Sequence, residues 1–415
     1  MIKTMQVGLD GTSARLEELN HISTQQERVH IGRMCGMYNS NASSTSVLIG
    51  YEAGKYARNT QNNVFVGFQS GMHSEEDSNN VYIGYQCGYS TNQGSSNVFI
   101  GNLVGFGNRT GFNNTFIGDQ CGKNNVNGNE NVFVGKDAGL RNYYGSLNTF
   151  IGTYGGAENT KGNSNVFVGF QSGRSNFEGS SNVFVGNDSG QGNTYGNHNV
   201  FIGTTSGALN LNGNNNCFVG DGSGNRNVDG DENVFMGNDS GSNNTSGSNN
   251  VFVGKSSGKN NTQGFRNVYI GDLCGENSKN SSNNVFVGCR SGLNNIKGFN
   301  NVYIGAECGV NARSSNNNIF VGYKSGYNSS YVGDITLLSA VDSHTNTHYE
   351  YSIDPTNEFR MDNSLYIEFD TIYGSMSLIT LPDVPVDLSN FVFAPRPDPL
   401  VSVYADEDTN VYKLF

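Results

Sequence analysis

The residues of this chain that could do chemistry are few and scattered. Glu368 and Asp370 stand at i, i+2 in and just after the alternating stretch Leu365-Tyr366-Ile367-Glu368-Phe369. On a strand they share a face and could flank a glycosidic bond; a solvated strand face is the plainer reading. Glu75 and Glu76 are adjacent, and Asp406-Glu407-Asp408 offers oxygens that could take Ca²⁺. A charged turn explains the second group as well. His344 and His348 are i, i+4, which on a strand sets them ~13 Å apart, too far to share one metal without a bend. No zinc spacing, P-loop, nucleophile elbow or dinucleotide fingerprint is present. The many Gly-x-x-x-Gly matches follow strands but open no helix, so they carry no phosphate meaning. Sequons such as Asn108-Arg109-Thr110 and Asn187-Asp188-Ser189 are what an Asn/Ser-rich chain produces by chance. We assign no catalytic, cofactor or metal residue and expect no enzyme.

The cysteines are more regular. Cys35, Cys87, Cys121, Cys274 and Cys308 all fall three residues after a glycine, where equivalent segments carry Ser, Ala, Val or Gly; Cys217 replaces a strand Val and Cys289 follows Gly288. Same-phase neighbours such as Cys87 and Cys121 are two repeats, or ~10 Å, apart, beyond the ~7 Å reach of a disulfide. These read as small buried thiols. Cys35 with His30 supplies only two ligands, too few for a metal.

What positions these residues is one repeated unit, Asn165-Val166-Phe167-Val168-Gly169, followed by two variable residues, a small residue and Gly173. Its first Gly recurs 18 times from Gly32 to Gly322, with a first step of 18 residues and every later step of 17, and the second Gly is present in all 18. Such a period predicts a solenoid. Within the unit, side chains alternate across a strand. The flanking residues are aliphatic. The middle residue is Phe65, Tyr82, Phe99, Phe116, Phe133, Phe150, Phe167, Phe184, Phe201, Phe218, Phe235, Phe252, Tyr269, Phe286, Tyr303 and Phe320, with His30 and Leu48 in the first two copies. Both faces of the strand are therefore apolar, as in strands buried on both sides. The first Gly permits a turn, and the small residue with the second Gly suits a second short strand. An Asn precedes the strand in 16 of 18 copies, and stacking would align these into ladders that bond neighbouring turns. The flanking aliphatics are expected to fill a narrow interior and the aromatic row to face outward. So wide an apolar stripe requires cover. Cyclic symmetry about the coil axis is the simplest closed solution, and the aromatic row is taken as the interface of a homotrimer. Eighteen rungs make a rod of ~85 Å.

The units Ser46-Val47-Leu48-Ile49-Gly50 and Asn97-Val98-Phe99-Ile100-Gly101 resemble the head repeats of trimeric autotransporter adhesins, the YadA-like left-handed parallel β-roll, and similar repeats occur in phage and giant-virus fibre proteins. The likeness covers about residues 29–326. It implies a left-handed trimeric β-roll. The adhesin repeat is usually shorter and has a small residue where this chain has Phe.

Composition divides the chain in three: a leader, 1–28, in which Ser13 could cap a short helix; the shaft, 29–331; and an acidic β-rich region, 332–415. All six prolines and only Gly333 and Gly374 of the 56 glycines lie in the last part. It holds 14 of the 36 acidic residues against Arg360, Arg396 and Lys413, so it carries nearly all of the net charge of −12. Strands are expected at Asp334–Ala340, His348–Ile353, Ser364–Asp370, Ser375–Leu381, Phe391–Phe393 and Val401–Tyr404, as a small trimeric sandwich or knob capping the shaft. A neutral shaft with an acidic end does not suit nucleic acid. No run approaches a membrane span, and Met1 to Glu18 shows no secretory core. We expect a soluble protein made in a cytosol. Its nearest functional fit is a homotrimeric fibre or spike of a virus or phage, on the virion surface or tail, binding a host receptor or glycan or docking to a capsid protein. A bacterial adhesin anchored at the cell surface by another chain, and a tailspike-like glycan depolymerase using Glu368 and Asp370, are the alternatives. Ice binding would want Thr-x-Thr ladders, and the regular row here is aromatic.

Overall fold

The structure is a computed structural model, and it describes residues 29–39 and 45–329, with the backbone of four further strands. Eighteen strands of three residues, β1 (Val29–Ile31) to β18 (Ile319–Val321), occur once per repeat. They pair in parallel and in register: Val166, Phe167 and Val168 lie opposite Val183, Phe184 and Val185. No helix is present among the described residues. The fold is an all-β parallel β-solenoid built on the 17-residue period.

One coil shows why the repeat reads as it does. The Val166 N–H donates to the Asn182 carbonyl at 2.8 Å and the Gly169 N–H to the Ile151 carbonyl at 2.8 Å, so each rung bonds the ones on both sides. Gly169 follows the strand at φ +137°, and a Cβ there would meet the backbone C of Gly186 at 2.7 Å. Neither the conformation nor the rung spacing admits a side chain. The segment from Gly169 to Gly173 is a turn rather than the second short strand expected. Its αL residues, Gln171 at φ 53° and Gly173 at φ 56°, bend the chain back before it can extend.

The last rung is not an open edge. Strand β19 (Thr336–Val341) pairs in parallel with β18, and β20 (His348–Ile353) pairs antiparallel with β19. Two further strands, β21 (Val403–Asp406) and β22 (Val411–Leu414), form a hairpin. The strands expected at 334–340, 348–353 and 401–404 thus have counterparts within two residues of their boundaries, and β22 adds one that was not expected. Those expected at 364–370, 375–381 and 391–393 lie outside the described residues, as do the leader and the pair Glu368/Asp370.

Candidate oligomer interface

The aromatic row is inside the coil. Phe65 and every later Phe or Tyr of the row down to Phe320 are wholly buried within a single chain. The expectation that this row faces outward as the trimer interface is therefore corrected: Phe65, Tyr82, Phe99, Phe116, Phe133, Phe150, Phe167, Phe184, Phe201, Phe218, Phe235, Phe252, Tyr269, Phe286, Tyr303 and Phe320 form the core. The alternation across the strand holds, with its two sides exchanged. The physical reason lies in the second Gly. A Cβ on Gly173 would meet Cδ2 and Cε2 of Phe167 at 2.5 Å, so the missing side chain is the notch that receives the ring. Rings in successive rungs stack almost parallel, with centroids 4.8 Å apart for Phe150, Phe167 and Phe184. Stacked pairs of this kind add about 0.5–1.5 kcal/mol each beyond their burial. One Phe per rung fills an interior too wide for two valines.

Polar ladders close the remainder of the coil. The Asn165 N–H donates to Asn148 Oδ1 at 2.9 Å, and Asn165 Nδ2 donates to the Gly179 carbonyl at 2.8 Å. A second buried asparagine, Asn176, donates from Nδ2 to Asn159 Oδ1 at 2.8 Å and to the same Gly179 carbonyl at 2.7 Å. Two asparagine columns thus meet on one carbonyl in each such rung. The first was legible from the sequence; the second hid in a loop motif that looked like turn chemistry alone. The small residue also bonds across rungs. The Ser172 hydroxyl donates to the Phe184 carbonyl at 3.0 Å, and Cys87 Sγ reaches the Phe99 carbonyl at 3.1 Å. A thiol can stand in for the hydroxyl there, which explains the five in-phase cysteines. None of the seven cysteines is in a disulfide. Burial pushes the Cys35 thiol up to about 12, and it raises Cys87, Cys121 and Cys274 further.

The flanking residues of every strand point outward. In all eighteen strands the middle residue is buried while both neighbours are half-buried or exposed. Ile151 is 41%, Ile202 41% and Met236 44% exposed. The result is a face carrying two columns of Val, Ile, Thr, Cys and Met along the whole shaft. A continuous apolar stripe of this length is more than the isolated patches of a few hundred Å² usual on a monomer. No cluster of three or more His, Cys, Asp or Glu suited to a metal occurs among the described residues. No helix is long and apolar enough to cross a membrane among them.

Comparison with known proteins names no relative: no family model, curated protein or solved structure matches the chain.

Proposed function

We propose that this chain forms the shaft of a left-handed, homotrimeric fibre or spike of a virus or phage, attaching to host or docking to the virion through its acidic C-terminal region. The observation that carries the reading is the continuous apolar outer face. It runs through all eighteen rungs, the kind of extended apolar face that a stable interface of ~800 Å² per partner requires. Its rungs repeat without a phase break after the first step, so a second and third copy can align rung for rung about one axis. The aromatic row then belongs to each chain's own core, and the Val/Ile columns fill the centre between chains. The C-terminal strands would close the rod and carry the binding knob.

Light scattering on the purified chain is expected to give three times the chain mass. Val166→Asp with Val168→Asp puts charge on the outer face, and it is expected to yield monomers with unchanged far-UV circular dichroism. Phe167→Ala should do the reverse: it lowers stability by about 3–5 kcal/mol, the usual cost of emptying a buried aromatic site, without charging the face. The chain also carries its own reporter. Cys217 sits in an outer column and Cys289 is exposed in a turn. Under native conditions a bulky thiol reagent should label Cys289 alone; after Val166→Asp/Val168→Asp it should label Cys217 too. A monomeric parent with two reactive thiols would sink the proposal. Antibody against the shaft should decorate rods protruding from purified particles, and decoration of bacterial cell surfaces instead would favour an adhesin.

A further inference from the structure

One surface feature is confined to the first five repeats. The residue after the first Gly is Tyr51, Phe68 and Tyr85 in three successive rungs, stacked at 5.2 and 5.3 Å between centroids. A second aromatic column runs from Tyr38 through Tyr56 and His73 to Tyr89 and Phe106, with centroid spacings of 4.9–5.1 Å. Between the two lies a polar spine. Glu52 accepts from Lys55 Nζ at 2.6 Å and from Gln69 Nε2 at 2.7 Å, and Gln69 Oε1 accepts from Gln86 Nε2 at 2.8 Å. Tyr38, Tyr51, Phe68 and Tyr85 are 38–48% exposed. Further along the shaft the position after the first Gly turns polar, with Asn102, Asp119, Lys136 and Thr153, and the later aromatics at that position (Phe170, Tyr323) have no aromatic at the same position in the adjoining rungs.

The stacking decides what can bind. In the Tyr51–Phe68–Tyr85 column the rings stack face to face, so Phe68 is covered on both sides and the column shows mainly ring edges; in the second column the stacking is interrupted where His73 and Tyr89 meet edge-on at 69°. Such a strip suits aliphatic side chains lying across the columns. The chain's own residues 1–28 join the shaft at Val29, in the rung that carries Tyr38. That segment holds Leu16, Leu19 and Ile22 at three-residue spacing. Covalent attachment gives it an effective concentration of about millimolar, which no free partner of similar chemistry matches. The strip's rungs span ~20 Å, well within the reach of 28 residues.

We infer that residues 1–28 dock on this aromatic strip, with Leu16, Leu19 and Ile22 against the Tyr51–Phe68–Tyr85 column. The docked segment fastens the first rungs, whose outer edge pairs with no earlier coil among the described residues. The test is hydrogen exchange by mass spectrometry on the full chain. Peptides covering 13–24 should exchange at least ten-fold more slowly than a free peptide of that sequence. The variant Tyr51→Thr/Phe68→Asn/Tyr85→Thr uses residues of the kind the shaft tolerates at that position elsewhere. It should abolish the protection while keeping the parent's circular dichroism and mass by light scattering. Three results would overturn the inference. One is exchange of the segment at the free-peptide rate in the parent, which leaves the strip to another molecule. Another is protection that survives the triple variant. The third is dissociation of the assembly by the triple variant, which would make the strip a contact between copies. Only the mass readout bears on the fibre proposal, so failure of docking and failure of the fibre reading are separable.

Discussion

Asp77 is the residue that sits least comfortably in this fold. It occupies the position of Gly94, Gly111 and Gly179, whose carbonyls receive the asparagine columns, and its own carbonyl does accept from Asn63 Nδ2. Its side chain is wholly buried, and neither carboxylate oxygen closes a hydrogen bond of good geometry, although the Ser74 hydroxyl lies beside it. Burial raises its pKa from 3.8 to about 8. The sign follows directly. Between pH 4 and 8 the unfolded chain has released this proton and the folded one has not, so stability falls as pH rises through that window and levels off above it. The cost at pH 8 is on the order of a few kcal/mol, borne by the rungs around Tyr82. Asp77→Ser is expected to raise the melting temperature at pH 7.5 and to leave it unchanged at pH 4, since Ser281 and Ser315 occupy the same position in later rungs. Equal shifts at both pH values would assign the effect to packing and not to the buried charge. This residue was invisible in the sequence, where Asp77 looks like one more polar loop residue beside Glu75 and Glu76. Its depth follows from the register of the asparagine columns, half of which had not been recognised.

Within a single coil, the aromatic and the loop asparagine are coupled. The residue nine positions after the ring is Asn in eleven of the thirteen Phe rungs; after Tyr82, Tyr269 and Tyr303 it is Thr91, Ser278 and Ala312. The Tyr82 hydroxyl faces Thr91, and that of Tyr269 faces Ser278 and Ser281, without a bond of good geometry in either case. A phenol oxygen therefore takes the space that the Asn amide uses in Phe rungs. In a double-mutant cycle at Phe167→Tyr and Asn176→Ser, each single change should destabilise, by about 1–3 kcal/mol for the buried hydroxyl or the broken ladder. The double variant should lose less than the sum, with a coupling of about 0.5–3 kcal/mol; strict additivity would refute the shared space. The same scale explains what the sequence could and could not say about the unit. The alternation of Val166, Phe167 and Val168 identifies a strand with two apolar faces, but alternation has no sign. Which face is interior depends on the width of the coil, set by the turn at Gln171 and the notch at Gly173, and neither is a periodic signal. The second Gly was nonetheless a usable clue, because a glycine kept four residues after the first in all 18 copies needs a neighbour that fills its missing side chain.

For the whole molecule, the strict period is the property on which fold and proposed assembly both depend. Each rung contacts only its neighbours, so stability is close to a sum of similar rung and interface terms. No rung stands alone, because ordering ~17 residues costs more than one ring and two columns of amides return. Length and repeat count were legible from the glycines; the closing strands β19 and β20 were legible as strands, but the pairing of β19 with β18 was not, since it joins segments on either side of an abrupt change in composition. The period yields a demanding test. Deleting residues 165–181 removes one complete rung and joins Ser164 to Asn182, so every ring, asparagine and outward aliphatic keeps its place. That variant should retain the parent's circular dichroism and oligomeric mass, with a rod shorter by ~4.8 Å. Deleting only 165–180 leaves the coil at the join out of phase by one residue. Asn182 is then displaced from the Asn148 column and Phe184 from the Phe150 stack, and the outward face steps by one position. That variant should lose a large part of its cooperative unfolding and break its oligomer at the join, so a 16-residue deletion tolerated as well as the 17-residue one would mean that neither the ladders nor the outer face hold the molecule together.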